Sequence, residues 1–108
     1  MAGTLTHDTE EKVRAYVRTL ESDIPVSAVY VFGSHAKGTA RTDSDIDVAI
    51  ISPAFGTDRF ATGTYLQSKL WDSPYKNIDV VGYSPTDFAD DFSPLVSEIK
   101  THGTLVLT

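Results

Sequence analysis

Residues 33–50 read GSHAKGTARTDSDIDVAI, and the preceding 26–32 read VSAVYVF. A run rich in valine and aromatics predicts a strand over 26–32, and Gly33-Ser34 ends it abruptly. Glycine permits a tight turn and lets a ligand approach the backbone. Ser34 can cap a short helical turn whose free N–H groups suit a phosphate, and Lys37 follows on the same side of that turn. A loop over 38–44 then leads into a second strand, 45–51. Asp45 and Asp47 sit two residues apart on that strand, so they share one face while Ile46 and Val48 take the other. Paired carboxylates repel unless a cation offsets them, and magnesium, which combines one or two carboxylates with substrate phosphates, is the natural candidate.

Working outward, the spacing predicts a helix over 8–23 with Asp8 and Glu11 as a capping box and Val13, Val17 and Leu20 on one face. A second helix is expected over 56–71, with Phe60, Leu66 and Leu70 near one face. Asn77–Tyr83 reads as a third strand, and Asp79 on it can project beside the first two acids. Ser84-Pro85-Thr86-Asp87 is a cap with proline in the first turn. Ser93-Pro94 starts a helix running to His102, anchored by Leu95 and Ile99, and 104–107 is a short final strand. Phe88 and Phe92 are expected to pack inward, Trp71 to sit at a core edge, and Tyr65 is free to touch a base. The fold expected is a single α/β (α+β) domain over 1–108: a small mixed sheet with helices packed on one face.

Composition narrows the function classes. The chain has 108 residues, 41% apolar and 22% charged, and no cysteine, which excludes disulfides and thiolate metal sites. No apolar run approaches the roughly 18 residues a membrane span needs, and the polar, acidic start lacks a signal-peptide pattern. A cytoplasmic globule is expected. Nine Lys and Arg against fifteen Asp and Glu leave a net charge of −6. General nucleic-acid binding, which rewards a basic footprint, is therefore disfavoured.

The glycine-serine pair, ten residues, then Asp45-Ile46-Asp47 resembles the motif of nucleotidyltransferases related to DNA polymerase beta, in particular the minimal stand-alone MNT group. Gly38 and Ser44 also fit, and Asp79 matches the third acid. His35 departs from the arginine often found after the serine, and a neutral imidazole holds phosphate less well than a permanent cation. The resemblance implies a palm-like fold, two Mg2+ ions held by Asp45, Asp47 and Asp79, and ATP with its triphosphate on Gly33, Ser34 and Lys37. Asp79 would stand beside the acceptor hydroxyl as the base. It further implies AMP transfer to a tyrosine of a helical HEPN-type RNase toxin, with this chain as the antitoxin. The acceptor pocket would be completed by that partner or by a second copy. Two other expectations share the same residues: a transferase for a small molecule such as an aminoglycoside, and a non-catalytic binding partner retaining the fold.

Overall fold

A computed structural model describes residues 5–33, 45–56, 58–71, 77–90 and 92–107. Ser34 and Lys37, and the short helical turn expected after Ser34, lie outside the described residues. The elements in chain order are α1 (His7–Glu21), β1 (Ala28–Phe32), β2 (Ile46–Ile51), α2 (Arg59–Leu70), β3 (Ile78–Tyr83), the single turn α3 (Pro85–Phe88), α4 (Pro94–His102) and β4 (Thr104–Leu107). No helix among them is long and apolar enough to cross a membrane.

The four strands form one mixed sheet in the order β3-β2-β1-β4. β1 runs antiparallel to β2 and β4, and β2 runs parallel to β3. The parallel pair requires a crossover, and α2 supplies it. Period-two alternation divides the strand side chains between two cores. Val29, Val31, Ile46, Val48, Ile50 and Ile78 pack with buried residues of α1 and α2. Phe32, Ala49, Ile51 and Tyr83 pack on the opposite face with Val96 and Ile99 of α4.

The mixed sheet with flanking helices is the one expected, and α1 and α2 do share a face. α3 and α4 pack on the other. The short link from β3 through Ser84-Pro85 turns the chain onto the face that carries Val81 and Tyr83.

Several local expectations change. The N-cap of α1 is Thr6, whose hydroxyl accepts from the Thr9 amide at 3.1 Å, so the helix begins before Asp8. α2 starts later than 56, capped by Asp58. Phe60 is 84% exposed rather than inward. Six residues separate it from Leu66, which is about 240° of rotation, so the two cannot share a face. Trp71, at the C-cap of the same helix, is 78% exposed rather than at a core edge. Phe88 packs on Tyr30 and Tyr83, with ring centroids 5.2 and 6.0 Å away. Phe92 is 95% exposed. No continuous helix joins the two phenylalanines, and the Phe92 amide is instead turned onto the Asp90 carboxylate at 3.0 Å. In α4, Val96 and Ile99 are buried, whereas Leu95 is partly exposed.

Two polar links fix α2 against α1 and the turn that follows it. The Tyr16 hydroxyl donates to the Leu66 carbonyl at 2.7 Å inside the core. Asp23 pairs with Lys69 and accepts from the Tyr65 hydroxyl at 3.2 Å. Lys69 holds the Asp23 carboxyl below its ordinary range, and burial raises the Tyr65 phenol.

Candidate active site

The acids collect where β1 ends and β2 and β3 begin. Phe32 pairs with Asp47 across the antiparallel ladder, and Asp47 pairs with Asp79 across the parallel one. The three side chains form a row on the face that also carries Ala49, Ile51 and Tyr83. Exposure rises along the row: Phe32 is buried, Asp47 intermediate and Asp79 exposed. α4 covers the β1 side of this face, which leaves the row open toward β3. Asp45 lies just before β2, exposed, and the Ile46 amide donates to the Asn77 carbonyl at 2.8 Å, locking the start of β2 to the start of β3.

Gly33 closes the row on the turn side. Its φ is +71°, the left-handed region, and it is the only glycine with positive φ among the described residues. A Cβ at this position would fall inside contact distance of the Asp47 carboxylate. Glycine is therefore required twice, by backbone conformation and by the close approach of the Asp47 carboxylate.

The structure thus seats Gly33 against Asp47, pairs Asp47 with Asp79 and leaves Asp45 exposed just before β2. Among the described residues, no three acids or histidines stand close enough to form a finished metal cage. The donor set is nevertheless right for a hard divalent cation: carboxylate oxygens, two of them on adjacent strands, with open space toward solvent for phosphate oxygens. A cation that keeps part of its shell for water and substrate does not need a closed cage.

Tyr65 is not part of this face. It packs edge-on to Phe55 and bonds Asp23 on the opposite side of the sheet. It lines a cleft of about 230 Å³ with Ile24, Ala54, Phe55 and Asp58, away from the acids. The sequence reading missed the contact between Gly33 and Asp47. The ten-residue spacing brings no hint of it, because it arises only when β1 and β2 pair with Phe32 opposite Asp47.

A family model described as "Polymerase beta, Nucleotidyltransferase" matches residues 11–108. No curated protein sequence matches the chain. Among solved structures, a toxin-antitoxin complex with AMP-PNP contains a similar chain, 29% identical with a TM-score of 0.60, over 90% of this chain and 71% of that one. A chain of the MntA-HepT toxin-antitoxin is 25% identical with a TM-score of 0.54, over 94% and 71%. A chain of the complex of tri-AMPylated Shewanella oneidensis HEPN toxin with MNT antitoxin is 26% identical with a TM-score of 0.52, over 91% and 68%.

Proposed function

We propose, from the premise that this chain belongs to the polymerase beta nucleotidyltransferase family, that it moves AMP from ATP to a tyrosine hydroxyl of a HEPN-type toxin and so acts as that toxin's antitoxin. The observation that carries the reading is the row itself: Asp47 paired with Asp79 on adjacent strands, with the left-handed Gly33 seated against the Asp47 carboxylate. The similarity to chains from toxin-antitoxin complexes, one with AMP-PNP and one with an AMPylated HEPN toxin, supports the choice of nucleotide and acceptor.

Catalysis in this family depends on a divalent metal. Asp45, Asp47 and Asp79 are the residues that would hold Mg2+. When bound, the metal supplies neutralisation of the triphosphate charge and stabilises the entering and leaving oxygens of the displacement. Gly33, bare of a side chain, lets the phosphates approach the backbone, and Ser34 and Lys37 in the adjoining segment complete their reception. Asp79, the most exposed acid of the row, faces the acceptor and takes the proton of its hydroxyl on a carboxylate oxygen. The acceptor oxygen then forms a bond to the α-phosphorus as the bond between that phosphorus and the β-phosphate oxygen breaks. Pyrophosphate departs and AMP remains on the acceptor.

The test is incubation of the chain with labelled ATP, Mg2+ and a purified HEPN-type toxin, followed by mass spectrometry of the toxin. The expected result is AMP on a partner tyrosine, dependent on Mg2+ and abolished by Asp47→Ala. An unmodified partner, or full labelling by the Asp47→Ala protein, refutes the assignment.

A further inference from the structure

The row of acids has an apolar continuation. On β3, Val81 follows Asp79 by two residues, so both project from the face that carries Ala49 and Ile51. Val81 is half-buried and stands beside buried Ala49 in the parallel ladder. Phe88 of α3 reaches over the same face. Its ring centroid lies 5.2 Å from that of Tyr30 on β1 and 6.0 Å from that of Tyr83 on β3. Lys100 of α4 sets its Nζ 5.2 Å from the Phe88 centroid. Three neighbours thus hold the Phe88 ring in place, yet it stays only half-buried.

These contacts make a step on the sheet. A ring that touches both Tyr30 and Tyr83 bridges β1 and β3, so Phe88 bounds Val81 on the β2 side. Val81 is the floor of the step. Asp79 is its exposed end, and β3 is the outermost strand, so the sheet does not close the step on its outer side. The length of the step fits one kind of hydroxyl. A tyrosine side chain spans about 6.5 Å from Cβ to its oxygen, close to the roughly 6.6 Å that two strand residues advance. A phenol laid on Val81 against Phe88 therefore ends with its oxygen at Asp79. Serine and threonine carry their oxygen one bond from Cβ, so the acceptor backbone itself would have to enter the row of acids.

We infer that Val81 and Phe88 seat the aromatic ring of the acceptor and so select a tyrosine over an aliphatic hydroxyl. The inference rests on the transferase reading above and names the residues that choose its acceptor. Covering part of a phenol ring with two apolar side chains stabilises the docked state. The ring is stiff, so holding its oxygen at Asp79 costs little side-chain entropy. Only one side chain enters the step, so a helix end or an interhelical loop of a HEPN-type toxin can deliver it. The other flat occupant would be the nucleobase. Gly33, which follows Phe32, lies on the β1 side of Asp47, and Val81 lies on the β3 side. The seat is therefore on the far side of the row from the turn that receives the triphosphate.

Two opposite changes at one position decide it. Val81→Ser removes the apolar floor, and Val81→Phe fills the step. Val81 is half-buried on an edge strand, so both changes should fold. Thermal unfolding checks this, and if one variant does not fold the other decides. With ATP, Mg2+ and a purified HEPN-type toxin, the KM for the toxin should rise about tenfold in both variants, while the KM for ATP stays as in the wild type. A wild-type KM for the toxin in a folded variant overturns the seat and leaves the transferase reading standing. A change in the KM for ATP instead assigns the step to the nucleobase and overturns it equally. A wild-type chain that labels no toxin overturns the transferase reading, and the acceptor seat falls with it.

Discussion

Replacing Gly33 by alanine tests the site through its most constrained atom. Two costs follow from the structure, and they fall on different observables. The first is the backbone: an L-residue held at φ +71° pays about 1–2 kcal/mol. In a domain of this size that lowers Tm by roughly 5–15 °C. The second is the new methyl, which would overlap the Asp47 carboxylate. That carboxylate is the end of a rotatable side chain, so the overlap is relieved by turning Asp47 rather than by moving β2. The relief costs little stability, yet it moves the proposed metal ligand off its position in the row. Misplacing a reacting group by about 1 Å costs on the order of 100-fold in rate. Gly33→Ala should therefore remain folded at 25 °C with a lowered Tm and lose AMP transfer by about 100-fold or more. The added stability that Mn2+ with ATP confers on the wild type should also shrink.

Gly63→Ala is the control, since Gly63 lies in α2 with open space around it. There the same methyl should stabilise the helix by about 0.5–1 kcal/mol. The assay is differential scanning fluorimetry with and without Mn2+ and ATP, run beside a transfer assay. A Gly33→Ala protein with wild-type Tm and wild-type transfer would refute both the left-handed turn and its contact with Asp47.

Asp79→Asn should reduce transfer by about 100-fold or more by removing the proposed base, yet retain ATP binding by calorimetry and keep or slightly raise Tm, since a like-charge pair is relieved. The Asp23 carboxyl is held low, chiefly by its hydrogen bond to Lys69. Its contribution is therefore fully present above the ordinary value of 3.8 and fades as pH falls through the lower folded value. Urea unfolding of wild type and Lys69→Met should differ at pH 6 and converge in strong acid. Tyr16→Phe removes the bond to the Leu66 carbonyl and should cost about 1 kcal/mol by urea unfolding without altering transfer. Burial raises the Tyr16 phenol above its ordinary 10.0, so the wild type should lose stability as pH climbs beyond that value, and Tyr16→Phe should lose less.

Much of the strand framework was readable because strands announce themselves by local pattern. The valine and isoleucine runs of β1, β2 and β3 alternate with a period of two, and Ser84-Pro85 and Ser93-Pro94 cap their helices where expected. Helix faces were read less well. Phe60, Trp71 and Phe92 looked like core because they are large and apolar, but burial depends on which direction a residue points. That direction is set by the rotation of α2 against α1 and by the turn at Asp90. The packing of α4 on the second face was likewise invisible, because no local signal states on which side of a sheet a returning helix lands.

For the site, the glycine-serine spacing and the period-two acids pointed to Asp45 and Asp47 without any coordinates, although β2 begins only at Ile46 and leaves Asp45 just before it. Chain connectivity and side-chain alternation are local properties, so sequence alone determined them. The partnership of Asp47 with Asp79 and the seating of Gly33 against that carboxylate were decided only by tertiary structure. Each depends on a pairing register between segments distant along the chain, and a slip of one residue would turn every one of those side chains to the other face.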